Sequence, residues 1–372
     1  MLDRLANKYK QSLFEDVLPF WLKHSLDREH GGFFSCLDRD GSVFDTRKYV
    51  WMNGRQVWTL SKLYNEAGCR PEWLDAARLG AEFLRRHVFA GLGRCWFSLT
   101  REGQPAGYQR KPYGAAFVAL GFQEYARAAG DDWYAETARE LTAHVAEWIA
   151  RPGLLGRPSF PALPPASLLA DCYVMLVLGQ PAPELERTWD AEHRLWLEAS
   201  HSEYPEGRLF CAGSNFEITW LLLGAGYEQS TVLDTLESAL EFGWDREHGG
   251  FFYFQDVENK PTLQLESSMK LWWVHAEAIL ALARAYEATR DPKWLRWLEK
   301  VDDYTFAHFP DPSHGEWFGY LDRYGRPTHT LKGNHYKGCF HIPRALWFSF
   351  QSITRILDKE GHKSGPPPPQ QL

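Results

Sequence analysis

Asp27-Arg-Glu-His-Gly-Gly-Phe-Phe34 recurs letter for letter as Asp245-Arg-Glu-His-Gly-Gly-Phe-Phe252. A looser copy, Asp311-Pro-Ser-His-Gly-Glu-Trp-Phe318, follows, and Gly93-Arg-Cys-Trp-Phe97 keeps only the glycine and the aromatic residues. Self-similarity of this kind marks one supersecondary unit used several times. The copies run into short alternating stretches that end in turns, as in Ser35-Cys-Leu-Asp-Arg-Asp-Gly41 and Gly319-Tyr-Leu-Asp-Arg-Tyr-Gly325, which is the pattern of a small hairpin. Gly31 and Gly93 stand 62 residues apart, and Gly249 and Gly315 stand 66 apart, room for two helices and their connections. The repeating unit is therefore a helix pair with its hairpin.

Apolar spacing at 3.6 residues predicts helices near 3–23, 53–67, 72–88, 111–129, 131–150, 164–178, 184–201, 214–226, 229–242, 267–289, 292–308 and 341–358. Gly68 and Gly130 stand where two of them should stop, and Pro71 and Pro292 where two should start. Twelve helices make six pairs, and six pairs closed on themselves give an all-α (α/α)6 barrel with short β-hairpins at one end. An open helical solenoid is the alternative. Aromatic residues make up 15% of the chain, with 17 Trp, and rings of that abundance favour closure around a pocket with flat apolar walls. One barrel domain over 1–360 is expected, with a Pro-rich, disordered tail over 361–372.

The charge, 41 basic against 48 acidic residues with the signs interspersed, argues against a nucleic-acid partner. Charges in Met1-Leu-Asp-Arg-Leu-Ala-Asn-Lys and the lack of any apolar run long enough for a span lead us to expect a soluble cytoplasmic protein without membrane contact. Six widely spaced cysteines without a C-x-x-C pair predict neither zinc nor a disulfide scaffold. Motifs for zinc peptidases, nucleotide-binding loops and serine hydrolases are absent, so no metal or cofactor is expected, and no motif supports ATP as an allosteric activator.

Polar residues embedded in aromatic segments remain as site candidates. In Lys48-Tyr-Val-Trp-Met-Asn-Gly-Arg-Gln-Val-Trp58, Arg55 either clamps a sugar oxygen with its planar fork or pairs with a carboxylate as scaffold. In Gln264-Leu-Glu-Ser-Ser-Met-Lys-Leu-Trp-Trp-Val-His-Ala-Glu277, helical spacing makes Glu266 and Lys270 an ion pair and brings Glu266, Trp273 and Glu277 to one face. His275, beside two Trp, is either a satisfied core residue or a proton carrier. In Lys332-Gly-Asn-His-Tyr-Lys-Gly-Cys-Phe-His-Ile-Pro-Arg344, two glycines break the chain ahead of the last helix. His341 then falls at a helix N-terminus, where the dipole favours a neutral, basic imidazole, and His335 lies in the loop before it. In Cys211-Ala-Gly-Ser-Asn-Phe-Glu217, Ser214 or Asn215 caps a helix and Glu217 sits in its first turn as a capping box.

Long strings of the chain resemble the N-acylglucosamine 2-epimerases, also described as renin-binding proteins and related to cellobiose 2-epimerase and the aldose–ketose isomerases. They are Asp27–Phe34, Lys48-Tyr-Val-Trp51 with Gly54-Arg-Gln-Val-Trp58, Met269-Lys-Leu-Trp-Trp273, Gly315-Glu-Trp-Phe-Gly-Tyr320 and Lys337-Gly-Cys-Phe-His-Ile-Pro-Arg344, within a likeness covering about 10–350. The resemblance implies an (α/α)6 barrel that interconverts N-acetylglucosamine and N-acetylmannosamine, or a close aldose 2-epimerase or isomerase. In such a reaction a base removes the C2 proton of the opened sugar, and reprotonation on the other face inverts the carbon. His341 matches one of the family's two proton-carrying histidines, Arg55 its sugar-side arginine and Glu217 a site glutamate.

Ser214 stands where the second histidine should be, leaving His275 and His335 as substitutes, and Ala115 and Ser167 replace glutamates. The expected catalytic residues are His341, His275 and Glu217, with Arg55, Tyr49, Glu266, Lys270, Trp273, His335 and Ser214 binding substrate. A weakened or repurposed relative that binds a sugar or a protein is the alternative. The resemblance also implies a homodimer and, by likeness alone, a renin-type protein partner.

Overall fold

A computed structural model describes residues 1–157, 168–200 and 202–363, with backbone alone for 360–363. Helices α1 (Leu2–Gln11) and α2 (Leu18–His24) are continuous through a π-helical turn at Ser12–Val17. They are followed by α3 (Val50–Ala67), α4 (Pro71–His87), α5 (Tyr113–Ala129), α6 (Asp132–Ala150), α7 (Leu168–Val177), α8 (Ala212–Ala225), α9 (Gln229–Gly243), α10 (Trp272–Thr289), α11 (Pro292–His308) and α12 (His341–Lys363). Helix α12 runs past the expected end at 358, and the tail from 364 onward lies outside the described residues, as does Ser167.

α3, α5, α7, α8, α10 and α12 pack side by side as an inner ring, and α1–α2, α4, α6, α9 and α11 lie outside them. Amphipathicity follows the layer. On α11, Trp294, Leu298 and Val301 recur at i, i+4 and i+7 on one buried face, whereas α10 is buried nearly all along its length. The result is an (α/α)6 barrel. The ring closes where the first helices meet the last: Lys8 pairs with the buried Asp302, Trp21 Nε1 donates to Glu316 Oε2 at 2.7 Å, and the Glu316 N–H donates to Asp16 Oδ1 at 3.0 Å.

The helix predicted over 184–201 is not formed. Pro183–Thr188 is a 3₁₀ turn at that outer position, and Trp189–Asp190 pairs with Leu195–Trp196 as a hairpin. Asp190 competes for the backbone by accepting the Glu192 N–H, and Arg194 takes a left-handed φ of 56°. This hairpin is a further copy of the repeat, with Asp190-Ala-Glu-His193 in place of Asp27-Arg-Glu-His30 and no glycine pair after it. Matching bridges join Leu26 to Phe33, Trp244 to Phe251 and Pro310 to Trp317. Among the described residues twelve α-helices are still counted, because the N-terminal run is divided in two.

The repeat is held by buried charge. Lys48 Nζ reaches Asp27 Oδ2 at 2.8 Å, Lys270 reaches Asp245 at 3.0 Å and Lys332 reaches Asp311 at 2.9 Å. An arginine covers each aspartate from outside, namely Arg101, Arg323 and Arg39. The expected Glu266–Lys270 ion pair is therefore not formed. Residues 267–271 are not helical, and Lys270 turns inward to Asp245 instead.

Candidate active site

The hairpins cluster at the end of the barrel where the inner helices begin, so the first turns of those helices gather around one cavity of about 460 Å³. Trp51 and Arg55 come from α3, Tyr113 and Phe117 from α5, Tyr173 from α7, Ser214 and Glu217 from α8, Trp273 from α10 and His341 from the first position of α12. Tyr253, Glu266, Tyr320 and Tyr336 complete the wall from the connections. Rings on all sides with a few converging polar groups suit a polar, ring-shaped ligand.

His341 is buried, with Nδ1 2.8 Å from Glu277 Oε1. A carboxylate can only accept, so Nδ1 carries the proton, and Nε2 is left to the cavity as the basic nitrogen. Glu277 is wholly buried and also accepts Trp220 Nε1 at 2.8 Å, which fixes its own orientation. Burial pushes the His341 imidazole well below its ordinary value; Glu217 opposes this, and Arg55 and Arg344 reinforce it.

Arg344 Nη2 bridges Glu217 and Glu277, the latter at 2.7 Å. Burial alone would lower this guanidinium's pKa, but the two carboxylates outweigh it and raise it. One ligating atom from each of Glu217, Glu277 and His341 lies within 4.8 Å of the others, a spacing compatible with a metal. Arg344 already sits against both carboxylates, so a second cation there would meet its charge at close range.

Arg55 makes no ion pair among the described residues. Its guanidinium lies 4.0 Å from the Phe117 ring centre, 4.7 Å from Trp51 and 4.8 Å from Phe340, and its buried Nε has no partner. The scaffold reading of Arg55 thus has no carboxylate to support it, and the side chain faces the cavity with unused donors.

The other expected site residues separate into two groups. Ser214, Glu217, Glu266 and Trp273 line the cavity with Arg55 and His341. His275 does not, and its assignment as a proton carrier is corrected: Nδ1 donates to Leu271 O at 2.8 Å and Nε2 accepts the Phe251 N–H at 3.0 Å, leaving no free nitrogen. Desolvation drives it down to about 3, so it stays neutral. Asn53 and Asn215 hold the Phe33 and Trp196 N–H groups in the same way, so His275 is the third instance of a structural clasp. Lys270 belongs to the buried pair with Asp245, outside the cavity. Tyr49 packs against Phe97 with its hydroxyl 3.4 Å from Asp45, and His335 is exposed beside it, neither lining the cavity.

Helix α8 starts at Ala212, so neither Ser214 nor Asn215 is its N-cap, and Glu217 answers Arg344 rather than closing a capping box. Ala115 is buried in α5 outside the cavity wall. Sequence reasoning missed Arg344 and Glu277 as site members, although both stood inside the strings singled out. It also missed Glu198, which had no signal beyond a lone carboxylate in a stretch read as helix.

A family model described as N-acylglucosamine 2-epimerase matches residues 32–155 and 181–344. N-acylglucosamine 2-epimerase from Bos taurus is 38% identical over 96% of this chain and 92% of its own length. Its counterpart from Mus musculus is 38% identical over 92% and 90%. Among solved structures, cellobiose 2-epimerase from Spirochaeta thermophila superposes with a TM-score of 0.77 over 96% of this chain and 98% of that one, at 24% identity, a likeness of fold. By the match of its length and its sequence, the chain belongs to the N-acylglucosamine 2-epimerase family.

Proposed function

We propose that the chain is a metal-independent sugar 2-epimerase, acting on N-acetylglucosamine and N-acetylmannosamine or on a close aldose, by removing and returning the proton on C2. The observation that carries this reading is the imidazole of His341, fixed by Glu277 with Nε2 toward a cavity that also holds an arginine without a counter-ion. Burial, reinforced by Arg55 and Arg344 and opposed by Glu217, disfavours the protonated form of His341. An enolate forming at C2 brings a negative charge, so the imidazolium becomes acceptable at the moment the proton moves, and Arg55 has donors free for the developing oxyanion.

Incubation with N-acetylmannosamine in D₂O, followed at C2 by NMR, is expected to show deuterium uptake and the other epimer. If neither appears, the N-acylhexosamine assignment fails, and a panel of free aldoses and ketoses then separates an altered substrate from a binding protein. A relative with little turnover is the second reading, supported by Ser214 at the position where the family resemblance calls for histidine. Kinship also supports a cytoplasmic homodimer; sedimentation at micromolar concentration showing only the 43.0 kDa chain would overturn the dimer.

A further inference from the structure

Ser214 is more than a gap in the site. Its Oγ lies 3.4 Å from Glu198 Oε1, and it lines the cavity while Glu198 stands behind it. The backbone of Glu198 is pinned on both sides, donating from N–H to Leu209 O at 2.9 Å and accepting the Leu169 N–H at 3.2 Å. Among the described residues no cation pairs with its carboxyl. The Cys211 thiol and the phenols of Tyr113 and Tyr253 are the other titratable groups that feel its charge. Glu217 and Glu277 share Arg344, whereas among the described residues the side-chain partner of this carboxyl is the Ser214 hydroxyl. Burial pushes it up to about 7, with the Ser214 hydrogen bond acting the other way.

A carboxyl kept without a counter-ion has no value as a structural ion pair, yet near pH 7 it can both release and accept a proton. The position is also apt. Ser214 and His341 stand at the starts of the two inner helices on either side of α10, and the Trp273 indole lies between them. Its ring is 5.5 Å from that of His341, and it is packed so tightly on Gly213 that a Cβ there would come within 2.4 Å of it.

We propose that Ser214 and Glu198 form a proton relay serving C2 from the α8 side of the cavity while His341 serves it from the α12 side. The inference rests on the epimerase reading above. In one direction His341 Nε2 takes the C2 proton, and the electron pair of the broken C–H bond stays on the sugar as the enolate. Glu198 then passes its proton to Ser214 Oγ as Oγ passes its own to C2, forming the new C–H bond on the other face. His341 ends protonated and Glu198 ionised, and the reverse reaction begins from those states. No further reactant is consumed. The hydroxyl alone is far too weak an acid or base for this step; the carboxyl behind it supplies the affinity.

Glu198→Gln preserves shape but cannot exchange a proton, and Ser214→Ala cuts the path. Each is expected to slow inversion about 10²-fold or more and to remove the limb of the pH–rate profile near 7, while one epimer still exchanges its C2 proton through His341. Adding Ser214→His to Glu198→Gln should restore inversion, since an imidazole needs no carboxyl behind it. Folded variants that keep the wild-type rate and pH profile overturn the relay and leave the epimerase reading intact. A slow Glu198→Gln that Ser214→His cannot rescue, with an unmoved profile, makes Glu198 structural and also overturns it. A wild-type protein inert toward every acylhexosamine and aldose instead defeats the epimerase reading, and the relay with it.

Discussion

The two histidines near the Trp pair show how local chemistry sorts look-alike residues. His341 has one nitrogen committed to Glu277 and one left to the cavity, whereas His275 has both committed to backbone groups. His341→Ala should therefore lower inversion by at least about 10² with little change in melting temperature, because Glu277 keeps Arg344 and Trp220 as partners. A comparable loss of folding would make it a packing residue. His275→Asn should retain turnover, since asparagine performs the same clasp at 53 and 215. His275→Ala, which strands the buried Phe251 N–H, should cost about 1–3 kcal/mol in stability. A well-folded His275→Asn protein without activity would return His275 to the chemistry. Flanking sequence made His275 resemble a catalyst; the bond that points to a clasp instead goes to Phe251, a partner that helical spacing does not reveal.

At the scale of helices and hairpins, periodicity located the rods and the glycine-rich repeat located the turns between them. The failure at 184–201 is instructive. Leu185, Trp189 and Trp196 suit a helix by spacing, but Asp190 accepts the Glu192 N–H as Asp27 accepts the Glu29 N–H, and Arg194 takes the left-handed φ where the repeat has glycine. The cavity's tyrosines were equally hidden, since an aromatic on an inner helix or in a connection looks the same in sequence whether it faces core or ligand. Packing between inner helices is a separate matter that glycine controls. A Cβ at Gly54 would stand 2.4 Å from Phe117 O, and one at Gly121 2.5 Å from Gly54 O, so α3 and α5 touch backbone to backbone. Gly54→Ala should push the pair apart, costing about 1–3 kcal/mol and raising KM by moving Arg55 off the Phe117 ring. Gly224, in α8 with open space around it, is the control: Gly224→Ala should stabilise by up to about 1 kcal/mol. Equal effects of the two substitutions on melting and KM would show that the close approach has no influence.

For the molecule as a whole, the buried Asp–Lys pairs bind distant parts of the ring to one another. Asp311 accepts from Lys332 and from Arg39, whose Nε lies 2.8 Å away, so this one carboxylate ties the first hairpin to the last. Burial by itself would raise the carboxyls of Asp27, Asp245 and Asp311, but the arginine and lysine hydrogen bonds outweigh it and hold all three well below the usual carboxylate range. A carboxyl depressed in the folded state contributes stability that is complete above its unfolded value of about 3.9 and drains away as protons are forced onto it below that point. Stability should begin to fall below about pH 6.5, where the unfolded chain's histidines charge while His275 and His341 are held neutral, an effect partly offset by the raised Glu198 carboxyl, and fall more steeply below about pH 4 as the aspartates are protonated. Asp311→Asn leaves Lys332 buried without its anion, so at pH 7 it should cost about 3–5 kcal/mol. The same substitution removes one titrating group, which makes the acid limb of the variant's melting curve shallower than that of the wild type. Melting measured across this pH range in both proteins decides the matter: identical slopes, or an Asp311→Asn protein as stable as wild type at pH 7, would mean that packing of the helices, and not this charge, closes the ring.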